Sequence, residues 1–255
     1  MSILPLSDSV AVVTGASSGI GRATALALAA QGTRVCLLAR SASKLTEAAE
    51  TLARGGSEAL ALACDVRDEV AVGQAIHSAL NRFGRVDVLI NSAGLSLNGE
   101  VDGYALDDWR TVIETNLTGT FLTCRAVLPA MKRQGGGQII NLSSGAGRNG
   151  IKQMAAYCAA KFGVIGFTES LALEVRNQNI RIAALLPGSV ATGFSKTAQR
   201  ADHHSPDATG REIGYSMLPE EVAGVIVAML AQPAQAWMSE VVLRPLNLAA
   251  KRQLP

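Results

Sequence analysis

Short apolar runs alternate with longer helical stretches along most of this chain, and that alternation limits the fold more than any other feature. Residues 10–14, 34–39, 58–64, 86–91, 138–142, 180–186 and 240–243 read as strands. Between them, 19–30, 41–54, 69–83, 106–132, 153–178 and 220–230 read as helices. A strand, a helix and a further strand in series form a crossover, which forces parallel pairing. The strand runs are apolar almost throughout, as they must be when helices cover both faces of a sheet. The pattern therefore predicts a doubly wound parallel sheet of about seven strands in a three-layer α/β/α arrangement.

The composition supports a packed interior. Hydrophobic residues make up 48% of the 255 positions and charged residues 17%, a balance that excludes disorder. Aromatic residues are only 4% and the net charge is +2 with no basic run, so neither base stacking nor a polyanion stripe is expected, and nucleic acid is excluded as a partner. No shift in composition divides the chain, and residues 1–255 read as one domain. The irregular stretch at 189–216 is polar, carries Gly193, Pro206 and Gly210, and is expected to cover a ligand at the C-terminal edge of the sheet. Residues 1–9 show no secretory leader, and no segment reaches the roughly 18 unbroken apolar residues of a membrane span. A cytoplasmic location without membrane association is expected. Cys36, Cys64, Cys124 and Cys158 are widely spaced, which suits small buried hydrophobes in a reducing compartment. No metal-ligand cluster stands out.

The first strand runs into Thr14-Gly15-Ala16-Ser17-Ser18-Gly19-Ile20-Gly21. Glycines there allow a tight turn and leave the next helix start free to meet a pyrophosphate with its N–H groups and positive dipole end. Farther on come Asn91-Ser92-Ala93-Gly94 and then Tyr157-x-x-x-Lys161, a pair four residues apart and so on one helix face. A free tyrosine titrates near pH ~10, and a neighbouring ammonium is expected to lower that value and ready it for proton transfer at neutrality. With these motifs in this order and spacing, the chain resembles the short-chain dehydrogenase/reductase family from Val10 to about Pro245.

The resemblance implies a Rossmann-type fold and a nicotinamide-dependent oxidoreductase. Tyr157 would be the general acid/base and Lys161 its partner, also holding the nicotinamide ribose. Ser144 would orient the substrate oxygen, with Ser143 as the alternative. Asn116 would hold a water that links the lysine to solvent, which would give a reason for an asparagine inside a helix. In reduction, hydride would pass from the nicotinamide to the carbonyl carbon and Tyr157 would protonate the oxygen, recharged through the ribose, Lys161 and that water.

The resemblance also maps the cofactor. Gly15, Ser17, Ser18, Gly19, Ile20 and Gly21 would cradle the pyrophosphate, Asp65 and Val66 the adenine. Asn91, Ala93 and Gly94 would lie beneath the dinucleotide, with Ser92 where asparagine is more usual. Pro187, Gly188, Val190 and Thr192 would meet the carboxamide end. Where an NAD enzyme places a carboxylate after the second strand, this chain has Ala39 followed by Arg40. A guanidinium without that carboxylate favours the 2′-phosphate of NADP(H) over NAD(H), although neither Ser17 nor Ser18 adds the second basic residue common in the family.

The substrate is expected to be a small carbonyl compound or alcohol. Met154, Phe194 and Met217 are candidates for an apolar pocket or for core, and His203 and His204 for an anionic contact or plain solvation. The family's habit of pairing through its long helices implies a homo-oligomer, dimer or tetramer. The competing reading is a redox-sensing or scaffold protein that keeps the cofactor site without turnover. An epimerase of nucleotide sugars would need a longer C-terminal region.

Overall fold

The computed structural model describes residues 5–194, 216–233 and 235–246. Seven strands form one sheet: β1 (Val10–Thr14), β2 (Arg34–Ala39), β3 (Ala59–Ala63), β4 (Val88–Asn91), β5 (Gly137–Leu142), β6 (Ile180–Pro187) and β7 (Glu240–Leu243). They lie in the order β3-β2-β1-β4-β5-β6-β7 and every pairing is parallel. This is the doubly wound α/β arrangement the alternation predicts. The helices are α1 (Gly19–Ala30), α2 (Ala42–Arg54), α3 (Glu69–Phe83), α4 (Leu106–Ile113), α5 (Gly119–Gln134), α6 (Ala155–Val175) and α7 (Pro219–Leu230).

Strand side chains alternate between faces, and the core divides accordingly. Val10, Val12, Cys36 and Leu38 pack with Ile76 of α3, Val127 and Met131 of α5 and Val175 of α6. Ala11, Val13, Val35 and Leu37 pack on the other side with Leu28 of α1, Leu45 of α2 and Ile226 of α7. Each face thus removes branched side chains from water, about 1.5–3 kcal/mol for each one fully buried. Local chemistry sets the ends of the helices. Asp68 caps α3 by accepting from the amides of Val70 at 2.9 Å and Ala71 at 3.1 Å, and Gly84 closes it at φ 79°.

Two elements depart from the sequence pattern. The fourth strand begins at Val88 rather than 86, although Asp87 already bonds both neighbouring strands, its amide donating to the Val10 carbonyl and its carbonyl accepting from the Gln138 amide, each at 2.8 Å. Asp87 Oδ2 accepts from the Val10 amide at 3.0 Å, and Gln134 Nε2 donates to the Val86 carbonyl at 2.7 Å. The long helix expected at 106–132 is broken by a π-helical turn at Glu114–Thr118, between α4 and α5. Asn116 lies inside that turn and its Nδ2 donates to the Val112 carbonyl at 2.9 Å. Side-chain competition for a carbonyl four residues back is what distorts a helix locally.

Candidate active site

Strands β1 and β4 are neighbours whose chains leave in opposite directions, one toward β2 and the other toward β5. Their C-terminal ends therefore border a crevice, the place where sheets of this kind bind ligands. The glycine turn fills one wall of it. Gly15 has φ +67°, and a methyl group there would stand 2.9 Å from the backbone of Ala93. A methyl group at Gly21 would collide with the Gly15 carbonyl oxygen. Both positions require glycine because backbone passes where a side chain would be. Thr14 fastens the two loops together: its Oγ1 accepts from the amides of Ser92 at 3.0 Å and Ala93 at 3.1 Å. The sequence reading overlooked Thr14 as a site residue, although it stands first in the motif.

Helix α1 begins at Gly19, and the Ser18 side chain makes no capping bond. Gly19 itself, at φ +51°, lies under Thr192, whose methyl group would be 3.1 Å from an added Cβ. That contact brings the end of β6 at Pro187, and the segment that follows with Gly188 and Val190, toward the glycine turn. Ile20 packs on the core beneath. The ends of the loop expected at 189–216 are clasped: Val190 pairs with Met217, and the Ser189 and Ser216 hydroxyls stand 2.9 Å apart. Met217 consequently packs against the α1/α7 side of the sheet and not beside Tyr157, which removes it from the candidate pocket. His203 and His204 lie outside the described residues.

At the far end of the crevice Arg40 is exposed just past β2. Asp65 is gripped by Arg67, Nε to both carboxylate oxygens at 3.1 and 3.0 Å and Nη2 to Oδ2 at 2.6 Å. Arg67 holds its carboxyl below the ordinary value, with the charge of Arg40 assisting. Arg67 is a second cation at this end that the sequence reading missed. Val66 is buried and seated against Gly119, where a Cβ would stand 2.7 Å away. Asn91 lies under the crevice, yet its side chain turns into the sheet: Nδ2 donates to Asn141 Oδ1 at 2.9 Å, and Thr123 Oγ1 donates to its Oδ1 at 2.7 Å. It supports the 92–94 turn from below.

Ser144, Tyr157, Lys161 and Asn116 come together beside this wall. Tyr157 and Lys161 occupy successive turns at the start of α6, and both are buried. Lys161 Nζ donates to the Leu142 carbonyl at 2.8 Å and stands 5.6 Å from the centre of the Tyr157 ring. Asn116 is fully buried, and its Nδ2 donates to the carbonyls of Leu95 at 2.7 Å and Val112 at 2.9 Å. Its Oδ1 has no partner among the described residues. A methyl group at Gly94 would lie 2.7 Å from that oxygen and 3.6 Å from Lys161 Nζ, so the two polar atoms face one point.

The adjacent serines separate cleanly. Ser143 Oγ donates to the Lys161 carbonyl at 2.9 Å and is spent on holding α6. Ser144 Oγ accepts from the Ala146 amide at 3.1 Å, and its hydroxyl acts on the Tyr157 phenol, drawing its pKa down against the effect of burial. Its neighbour's hydroxyl is thus structural, and Ser144 is the one at the phenol.

Burial, not the ammonium, dominates the Tyr157 proton. It pushes the phenol up to about 12 against the pull of the Ser144 hydroxyl, contrary to the lowering expected from Lys161. Burial also brings Lys161 down to about 8, so its own charge is weakly held. Burial raises Cys36 and Cys124 to about 12, which leaves them inert thiols.

A parallel sheet with a glycine turn at its switch point, and a half-buried serine with a buried tyrosine and lysine grouped beside it, defines a nucleotide-dependent oxidoreductase. The short chain dehydrogenase family model matches residues 9–203, and the chain belongs to that family. Among its relatives is the 3-oxoacyl-[acyl-carrier-protein] reductase of Synechocystis sp., 41% identical and covering 92% of this chain and 94% of the relative. A metagenomic short-chain oxidoreductase crystallised with NADP superposes with a TM-score of 0.81 at 34% identity, covering 95% of this chain and 99% of the other. A variant of actinorhodin polyketide ketoreductase crystallised with NADPH gives 0.83 at 35% identity, covering 93% of this chain and 95% of the other. No helix among the described residues is long and apolar enough to cross a membrane.

Proposed function

We propose that this chain is an NADP(H)-dependent reductase of carbonyl compounds, and equally a dehydrogenase of the matching secondary alcohols, with Tyr157 as general acid/base. The observation that carries the reading is the meeting of four groups at one place. The Ser144 hydroxyl acts on the Tyr157 phenol, drawing its pKa down against burial, and Lys161 Nζ and Asn116 Oδ1 converge on the ground beside Gly94.

The residues present fit a nicotinamide dinucleotide. The cradle at Gly15 and Gly21 admits no side chain, and the unpartnered Asn116 Oδ1 aims at the crevice beside a buried ammonium. Gly15, Ser17, Ser18, Gly19, Ile20 and Gly21 would hold the pyrophosphate, Asp65 and Val66 the adenine, and Ala93, Gly94, Pro187, Gly188, Val190 and Thr192 the nicotinamide half. When bound, the nicotinamide supplies or receives the hydride. Arg40, next to an uncharged Ala39, supports NADP(H) over NAD(H), and the NADP and NADPH found in two similar structures agree with it.

The protein's own groups handle the proton. Ser144 and Tyr157 donate to the substrate oxygen and place its carbon. Tyr157 releases its proton as charge develops there, and a phenol held at about 12 retains that proton until an alkoxide, the stronger base, forms. Lys161, whose Nζ stands 5.6 Å from the centre of the Tyr157 ring, then stabilises the phenolate in a low-dielectric setting. Run in reverse, the phenolate takes the alcohol's proton.

The chain is read as one catalytic unit acting in the cytoplasm. Phe121, Phe162 and Leu173 stand exposed on α5 and α6, which supports a dimer or tetramer formed through those helices. A scaffold without turnover would not need all four groups in place. The test is Tyr157→Phe with NADPH and a panel of ketones. Turnover should fall at least about a hundredfold while nucleotide binding, followed by fluorescence, persists. Unchanged turnover overturns the assignment.

A further inference from the structure

We infer that the substrate bears an uncharged, apolar substituent next to its reacting carbon. The inference rests on the carbonyl-reductase reading and names the class of compound that site takes. Leu95, Leu97, Ile151, Met154 and Phe194 pack around the buried cluster that contains Tyr157, and each keeps part of its surface open. The Phe194 ring stands 5.5 Å from the Tyr157 ring, inclined by 55°. These side chains place a partly open hydrocarbon collar beside the Tyr157 ring.

Four of the five collar residues come from two loops that are tied together, and Phe194 comes from beyond β6. The 95–99 segment leaves β4, and the 151–154 segment leads into α6. The Gly99 amide donates to the Gln153 carbonyl at 2.9 Å, and the Tyr104 hydroxyl donates to the Leu97 carbonyl at 2.5 Å. Gln153 is held at φ 64°, a conformation a residue with a side chain keeps only where its surroundings impose it. The walls formed by these two segments are thus held by bonds within the protein.

No ionised side chain of these two segments faces inward. Lys152 is their single charged residue and it is exposed. The buried ammonium of Lys161 is engaged with the Leu142 carbonyl, and Ser96 Oγ is engaged with Asn98 Oδ1 at 2.9 Å. A carboxylate beside the carbonyl would lose its water among these side chains with no cation in either segment to compensate. An alkyl group gains from every methylene it hides.

The test uses the full chain with NADPH. One arm compares methyl ketones of increasing chain length, and the other compares ethyl acetoacetate with acetoacetate. The expected kcat/KM rises about fourfold per added methylene, and the ester exceeds the acid by at least about tenfold. Phe194→Ala and Leu97→Ala, each checked for an unchanged unfolding cooperativity, should flatten the chain-length slope. A flat slope in the unsubstituted protein, or an acid reduced as well as its ester, overturns the inference and leaves the carbonyl-reductase reading intact. Nucleotide binding with no ketone reduced at all overturns that reading, and the inference with it.

Discussion

Replacing Thr14 by valine tests whether the glycine turn and the 92–94 turn act as one unit. The side chain keeps its shape and loses a hydroxyl that accepts from two amides, Ser92 at 3.0 Å and Ala93 at 3.1 Å. Each donor left without a partner costs about 1–3 kcal/mol when buried. Both residues are only half-buried, so the sum belongs near the lower end, about 2–3 kcal/mol. For a chain of this size that corresponds to a fall in Tm of roughly 4–12 °C. The backbone of Ala93 also sits where a Gly15 side chain would be, so a shift of that turn opens the cradle. Nucleotide affinity should therefore weaken about tenfold or more along with the stability. Differential scanning fluorimetry and nucleotide titration read the two effects, and Thr14→Ser should restore both. A Tm within a degree or two of the parent refutes the hydrogen-bond argument. A lowered Tm with unaltered nucleotide affinity refutes the coupling between the turns.

Three further outcomes follow from the same geometry. Gly21→Ala drives a methyl group into the Gly15 carbonyl, so nucleotide binding measured by titration should be lost while the sheet still unfolds cooperatively. Arg40→Ala should reduce the NADPH-to-NADH ratio of kcat/KM by about tenfold, the value of one charge-assisted bond at an exposed site; an unchanged ratio removes Arg40 from cofactor choice. Lys161 lies at about 8 in the folded chain against an ordinary 10.5. Between those values the unfolded chain binds more protons, so this group makes stability rise with pH. The stability difference between the unsubstituted protein and Lys161→Met, measured by denaturant unfolding, should grow from pH 8 to 10, and a flat difference contradicts the burial of Lys161.

The strands and helices were legible because helices cover both faces of the sheet, and a strand such as Val10–Thr14 is then buried at every position and apolar from Val10 to Val13. Tyr157 and Lys161 were legible because one helical turn of spacing fixes a shared face wherever the helix goes. What stayed hidden depends on partners far away in sequence. The resemblance picks Ser144 over Ser143, but the reason lies out of local view: the Ser143 hydroxyl is taken by the Lys161 carbonyl, 18 residues on. The upward shift of Tyr157 comes from the packing around its ring, to which Phe194 contributes from beyond β6, and no local spacing reports desolvation. Asn116 shows the limit best. An asparagine within a helical run breaks a local rule, and the sequence could register that breach but not its form. The form needs the Leu95 carbonyl, 21 residues away, which takes one Nδ2 bond while Val112 takes the other. With both donors occupied, the side chain is fixed and its oxygen is left facing Gly94 and Lys161. The helix thus gives up regular bonding over one turn where a polar atom must point inward, and local disagreement between propensity and structure falls at the site itself.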